Sequence, residues 1–361
     1  MPVTEEAILD ALRHVEDPDL HKDIVSLGFI KNINICGPQV AFDLELTTPA
    51  CPVKESLRSE CIERVQELSG VDSVSVSLKA NVRGRAFGEG HVLPEVKNVV
   101  AVASGKGGVG KSTVAANLAL ALHGEGAVVG LMDADIYGPS IPIMMGVQGQ
   151  PDVQQGKRID PLHAHGISLM SMGFLLGDEA PVIWRGPMVT KLIQQFLGAV
   201  NWGPLDYLVI DLPPGTGDAQ LTLTQSAPIT GAVIVTTPQD VSLIDARKGL
   251  KMFQKVNVPV LGIVENMSVF ACPHCGAETP IFRQGGGERT AGEMGVPFLG
   301  AIPIDPEVAV AGDEGVPIVA RSPDSLSSIA FREVAGKVAA QLSIVHAGPV
   351  GLRPDFKLQW Q

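Results

Sequence analysis

One nonapeptide limits what this chain can fold into more than any other feature. Gly105-Lys106-Gly107-Gly108-Val109-Gly110-Lys111-Ser112-Thr113 fits the pattern GxxxxGK[ST]; it follows the apolar run VVAVAS and opens the stretch TVAANLALAL. A phosphate-binding loop needs that setting of strand, loop and helix. Its glycines let the backbone wrap so that N–H groups point at phosphate oxygens. Lys111 neutralises β- and γ-phosphate charge, and Ser112 offers a hydroxyl to Mg²⁺. ATP and Mg²⁺ are the ligands this loop implies.

The surrounding pattern agrees. Short β-branched runs recur at Val99 to Ala103, Ala127 to Met132, Tyr207 to Ile210, Ala232 to Thr236 and Val258 to Val264, with helical stretches between several of them. Fully apolar strands alternating with helices mark a mostly parallel sheet covered on both faces, with ligands at the carboxyl ends of its strands. The fold class is therefore α/β, a P-loop NTPase preceded by a small α/β domain. In residues 1–79, Ala7, Ile8, Ala11, Leu12 and Val15 share a helical face. Val40 to Leu46 and Val74 to Leu78 alternate as half-buried strands, and Val53 to Leu68 repeats at helical spacing up to Gly70. Residues 80–96, with three glycines and a proline, read as a linker; residues 97–345 form the ATPase domain, with a last helix from about Ser325 to Leu342. Residues 346–361 are a tail.

Two more segments end apolar strands on carboxylates beside the loop: VGLMDAD carries Asp133 and Asp135, and YLVIDLPPGTGD carries Asp211. Carboxylates so placed hold Mg²⁺ through water and orient an attacking water. Asp211 is read as the metal-side carboxylate, Gly215 and Gly217 as the hinge of a switch loop, and Asp218 as a helix N-cap.

The sequence KGGVGKS carries a second lysine, Lys106, where a simple P-loop needs one. In this it resembles the deviant Walker ATPases, the class of the nitrogenase iron protein, MinD and ParA. That resemblance implies a homodimer in which Lys106 reaches the phosphates bound by the other subunit. It also implies Asp135 as the residue that positions the attacking water, supported by Asp133, with Asn266 and, through the loop Ile302 to Asp305, Pro303 at the adenine. The catalytic set expected is Lys106, Lys111, Asp135 and Asp211. From its residues alone, Asn266 reads equally well as a turn.

Cys272-Pro273-His274-Cys275-Gly276 spaces two thiolates to chelate one metal or one edge of a cluster, and no second CxxC exists. A two-fold axis beside this knuckle would complete a set of four, for zinc or for iron and sulfide. His274, between them, reads as orienting or solvent-facing. The motifs KGGVGKST, MDADIYGPS, WRGPM at Trp184 to Met188, DLPPGTGD, ENMS and CPHCG, in this order, are similar to those of the Mrp (ApbC) family of iron-sulfur cluster carrier ATPases, over residues 95 to 345. The resemblance implies a [4Fe-4S] cluster bridging Cys272 and Cys275 of two subunits, slow ATP hydrolysis, and transfer to apo-proteins. The partners it implies are apo iron-sulfur proteins and iron-sulfur assembly proteins. The N-terminal stretches DPDLHKDIVSLGFI and TTPACP resemble the iron-sulfur assembly domain related to SufT and PaaD. There Cys51 stands where a strand gives way to a helix, a position that favours a reactive thiolate; Cys36 and Cys61 read as core residues.

Charge and hydropathy weigh against the alternatives. A net charge of -12, from 27 Lys and Arg against 39 Asp and Glu, disfavours nucleic acid or an anionic membrane as partner. No run reaches the ~18 apolar residues of a membrane span, and the tail has no basic amphipathic helix of the kind a MinD-like switch uses. The expected location is cytoplasmic, with a ParA- or MinD-like partitioning switch and a zinc-stapled dimer as the rival readings.

Overall fold

The computed structural model describes residues 3–84, 92–136, 138–154, 158–174, 186–215, 217–272 and 274–347, without the side chains of 186–191, 218 and 219. By their contacts these residues form two compact units, the first within 1–83 plus 339–349 and the second within 84–338. The second domain, expected to end at 345, stops at 338 by its contacts; residues 339–347 group with the first unit, where Ser343 Oγ and Thr47 Oγ1 share a hydrogen bond of 2.9 Å. Within the linker read at 80–96, residues 85–91 lie outside the described residues, as do 348–361 of the tail.

The first unit runs α1 (Glu5–Leu12), β1 (Glu16–Asp17), β2 (Lys22–Asp23), β3 (Ile30–Cys36), β4 (Gln39–Leu46), α2 (Lys54–Gln66) and β5 (Ser73–Ala80). Thr4 starts α1 by accepting the Ala7 N–H at 3.2 Å, satisfying one of the orphan donors of a helix start. The three-stranded sheet has the order β3-β4-β5. β3 and β4 form an antiparallel hairpin, while β4 and β5 are parallel because α2 supplies the crossover a parallel pair requires. Alternation along β4 puts Val40, Phe42, Leu44 and Leu46 into a core with Ile8, Leu12, Phe29, Leu57, Cys61 and Val65.

The second unit runs β6 (Val96–Ser104), α3 (Lys111–Gly124), β7 (Val129–Asp133), α4 (Ile141–Met144), β8 (Leu162–Ala164), β9 (Ile167–Ser171), α5 (Gly186–Ala199), β10 (Leu205–Asp211), α6 (Asp218–Ser226), β11 (Gly231–Thr236), α7 (Asp240–Lys255), β12 (Val260–Glu265), β13 (Phe270–Ala271), β14 (Glu278–Thr279), α8 (Gly286–Met294), β15 (Phe298–Ala301), α9 (Pro306–Asp313), α10 (Ile318–Arg321) and, as far as Val338, α11 (Leu326–Ala347). Among the described residues, eight strands make one sheet of order β15-β12-β11-β6-β10-β7-β9-β8. All its pairings are parallel except that of β8 with β9. The six inner strands are buried along nearly their whole length, with every residue of β7 and β11 buried, as a sheet covered on both faces demands. Each fully buried apolar side chain here contributes roughly 1.5–3 kcal/mol, and Leu118, Leu122, Leu131 and Phe253 are among the largest. α11 extends to Ala347, beyond the expected Leu342; Ser325 Oγ accepts the Ser328 N–H at 3.2 Å at its start.

Candidate nucleotide site and cysteine hairpin

The sheet order places β6, which leads into the glycine-rich loop, beside β10, whose last residue is Asp211, with β7 and its terminal Asp133 next to β10. Three strand ends therefore converge on one edge. Gly108 and Gly110 take φ of +79° and +80°, the left-handed region that suits glycine. A side chain at Gly110 would stand 2.2 Å from Asn266 Nδ2, and one at Gly105 would stand 2.2 Å from the backbone of Asp245 on α7. Gly107 and Gly108 are exposed at the crest, Val109 is buried, and Lys106 is half-buried with its carbonyl accepting from Ser104 Oγ at 2.9 Å. Lys111, Ser112 and Thr113 form the first turn of α3.

The Lys111 ammonium, only 6 % exposed, donates to Asp211 Oδ1 and lies 3.9 Å from Asp135 Oδ2 and 3.4 Å from Ser112 Oγ. Asp211 is fully buried, and its other oxygen, Oδ2, has no hydrogen bond among the described residues. Burial raises the Asp211 carboxyl above the usual range and the Lys111 charge opposes that rise. Asp133 is equally buried. One of its oxygens accepts the Asp135 N–H at 3.0 Å; the other accepts from Ser171 Oγ at 2.9 Å and the Ile141 N–H at 3.3 Å. Burial, then repulsion from Asp211, pushes Asp133 up to about 7. Asp133 thus fixes the backbone that carries Asp135 rather than facing the loop itself. A buried carboxylate oxygen with an empty hydrogen-bonding position, beside the Ser112 hydroxyl, suits a hard divalent cation reached directly or through water.

Gly215 takes φ +94°, so a glycine is needed there; Gly217 does not share that conformation. The N-cap of α6 is Gly217, and the helix already begins at Asp218. Asp218 is therefore one position too late to be the cap read from the sequence, and its side chain lies outside the described residues, as do Tyr137, Trp184, Arg185 and Thr216. Asn266 donates from Nδ2 to the Val109 carbonyl at 2.9 Å, which ties the end of β12 to the phosphate loop. Pro303 is half-buried between Ile302, whose N–H donates to the Glu265 carbonyl, and Ile304, whose N–H donates to the Val269 carbonyl.

Cys272 and Cys275 occupy the turn of the β13–β14 hairpin, with Gly276 at φ +70° and its N–H donating 2.8 Å to the Cys272 carbonyl. Cys272 is partly exposed, and Cys275 and His274 are exposed. The N–H groups of His274 and then Cys275 turned toward the Cys272 sulfur lower its pKa. No group of three or more His, Cys, Asp or Glu side chains able to hold a metal occurs among the described residues, so this pair has no third ligand in its own chain there.

Two of the other three cysteines depart from expectation. Cys36 is exposed, because β3 ends at it and hands over to the Gly37-Pro38 turn. Cys61 is buried as read. Cys51 is buried three residues ahead of α2, where desolvation pushes its thiol up to about 11, opposite to the activated thiolate that its position suggested. Glu265 was missed. It ends the apolar strand VLGIVE as Asp133 and Asp211 end theirs, so the same signal marks it.

Known proteins resemble this chain in sequence and in fold. The family described as ParA, NUBPL iron-transfer P-loop NTPase, matches residues 95–339, and the family described as FeS_assembly_P, iron-sulfur cluster assembly protein, matches residues 5–78. The iron-sulfur cluster carrier protein of Synechocystis sp. is 51% identical over 348 residues, covering 95% of this chain and 99% of the relative. That of Escherichia coli K12 is 43% identical over 337 residues, covering 93% and 91%. Among solved structures, a nucleotide-binding protein of Archaeoglobus fulgidus in complex with ADP is 42% identical with a TM-score of 0.57, over 64% of this chain and 92% of that one. Pyrococcus furiosus MinD, a cell division ATPase, is 25% identical with a TM-score of 0.51, over 67% and 98%. By sequence along nearly its whole length, this chain belongs to the iron-sulfur cluster carrier family of P-loop NTPases.

Proposed function

We propose that this chain is an ATP-binding, slowly hydrolysing carrier that assembles a [4Fe-4S] cluster across a homodimer and hands it to apo-proteins. The observation that carries the reading is the hairpin: it presents two cysteines at its open end, one of them held toward the thiolate, with no third ligand nearby among the described residues. Four thiolates from two copies complete the set a cluster takes. Exposed Val241, Ile244, Ile281 and Phe282, joined across the Arg283–Asp240 ion pair of 2.6 Å, supply an apolar surface that favours a second copy.

In the nucleotide site, Lys111 exchanges its carboxylate partners for β- and γ-phosphate oxygens, and the N–H groups of Gly105 to Thr113 surround them. Ser112 and Asp211 would hold Mg²⁺, which supplies charge to offset the phosphates. Asp135, carried on the backbone that Asp133 fixes, orients the water for attack; Lys106 reaches the partner's phosphates. Asn266 and Pro303 border the adenine. Apo iron-sulfur proteins and assembly proteins are the partners, in the cytoplasm; among the described residues no helix is long and apolar enough to cross a membrane. A partitioning switch would leave the cysteine hairpin with no role.

The test is iron, sulfide and zinc per chain in anaerobically reconstituted protein, with the dimer fraction, for wild type and Cys275→Ala. About four irons per dimer, lost in Cys275→Ala with ATP binding kept, is the expected result. Four irons per monomer, stoichiometric zinc in place of iron, or cluster retention in the variant overturns it.

A further inference from the structure

Both ends of the loop that carries the cysteines are fastened to a single buried carboxylate. Glu265, at the end of β12, is 0 % exposed. Its Oε1 accepts from Ser268 Oγ at 2.6 Å and from the Gly285 N–H at 3.0 Å, and its Oε2 accepts from the Gly287 N–H at 2.6 Å. Ser268 lies just before the hairpin, whereas Gly285 is the N-cap of α8 and Gly287 lies in that helix's first turn. A carboxylate that satisfies three donors at a helix start is strongly held, since charge-assisted bonds and the helix dipole act together.

The next residue along the chain is tied to the phosphate loop. Asn266 donates its amide to the Val109 carbonyl, its backbone N–H donates to the Thr236 carbonyl at 2.8 Å, and it fills the space beside Gly110. Met267 then turns the chain at φ +58°, a conformation a side-chain-bearing residue rarely adopts. A displacement of Val109 and Gly110 therefore reaches Glu265 through one peptide unit. Because Glu265 grips the cysteine loop at both ends, that loop shifts as a body instead of flexing about one anchor.

We infer that Glu265 is a positioning residue coupling nucleotide occupancy of the phosphate loop to the orientation of the Cys272–Cys275 hairpin. The inference rests on the reading that this loop binds nucleotide and this hairpin binds the cluster. Glu265→Gln keeps the shape but turns one acceptor into a donor facing backbone N–H groups, so it loosens the grip at one end.

The experiment uses full-length, cluster-free protein carrying Cys36→Ser, to remove the exposed cysteine of the first unit. Iodoacetamide labelling rates of Cys272 and Cys275 are read by peptide mass spectrometry without nucleotide, with Mg-ADP and with a non-hydrolysable Mg-ATP analogue. The parent protein is expected to change its labelling rate at least about fivefold with nucleotide, the lower end of ordinary coupling between sites. Glu265→Gln is expected to bind nucleotide with similar affinity yet show a change below about twofold, with Ser268→Ala in between. A merely structural role would shift the rates with and without nucleotide by one common factor and keep their ratio. Shielding by dimer formation alone would also survive the substitution; either outcome, or a parent protein insensitive to nucleotide, overturns the inference. Should Glu265→Gln fail to fold, an unaltered ratio in Ser268→Ala does the same. Failure of the carrier reading is seen separately, as absent nucleotide binding or absent iron in wild type.

Discussion

Lys111→Ala should weaken the nucleotide-free protein in a pH-dependent way, as well as removing ATP binding. The ammonium is buried against Asp211 Oδ1, and the opposite oxygen of that fully buried carboxylate has no hydrogen bond among the described residues. Removing one partner of a buried pair costs about 3–5 kcal/mol when the other stays charged. Asp211 can limit that cost by taking up a proton. Its folded pKa is already raised above the 3.8 of the unfolded chain, and losing Lys111, which lowers it, raises it further. A carboxyl with a raised folded pKa binds more protons folded than unfolded. Its penalty is therefore absent below the unfolded value, grows as pH rises, and is complete above the folded value. Going from about pH 8 to about pH 5.5 makes protonation cheaper by ~3 kcal/mol, at ~1.4 kcal/mol per pH unit. Asp133, raised to about 7, titrates in both proteins; loss of the Lys111 charge raises it and protonation of Asp211 lowers it, so the two changes oppose each other. The loss in Lys111→Ala should thus be ~3–4 kcal/mol at about pH 8 and clearly smaller at about pH 5.5. Urea unfolding without nucleotide measures it. A parallel set with ATP at about 100 times the wild-type Kd should add ~2.7 kcal/mol to wild type and nothing to the variant. A loss under about 1 kcal/mol at the higher pH, or an equal loss at both, would refute the argument.

Asp135→Ala should keep ATP affinity within about threefold while abolishing turnover, because it acts on the attacking water and not on phosphate charge; isothermal titration and phosphate release separate the two. Gly105→Ala places a methyl group 2.2 Å from the Asp245 backbone, so the phosphate loop must shift, and ATP affinity should fall by at least about tenfold with the fold retained by circular dichroism. In cluster-free native protein at about pH 8, iodoacetamide should label Cys36, Cys272 and Cys275 quickly. Cys51 and Cys61, raised by burial to about 11 and about 12, should react only after denaturant is added.

Much of the second unit could be read from its sequence because each central strand is buried on both faces and leaves an uninterrupted apolar run. Carboxylates stand out where such runs stop, as at Asp133 and Asp211. β8, β9 and β15 escaped notice: β8 and β15 are three and four residues long, Gly300 interrupts the pattern of the latter, and Ser168 and Ser171 break the apolar run of β9. Burial of cysteines was harder to read, since it depends on which way a turn faces. Cys36 and Cys51 both flank strand ends, yet one is exposed and the other is enclosed. Asn266 shows a different limit. Its side chain meets Val109, 157 residues earlier, a pairing that only the order of strands β6, β11 and β12 creates.

The outermost strands of the large sheet have a bearing on how copies of this protein can meet. β8 offers three residues at one margin and runs against its neighbour, while β15 offers four at the other, with its register to β12 broken between Ile263 and Val264. Such stubs make poor templates for adding a strand from another molecule. Continuous sheets across subunits, and the fibres that follow from them, are thereby disfavoured. Self-association is left to loops and helix faces, whose side chains can be exchanged one at a time without disturbing a backbone ladder. A contact built that way can open and close with its cargo while the sheet beneath it stays unchanged.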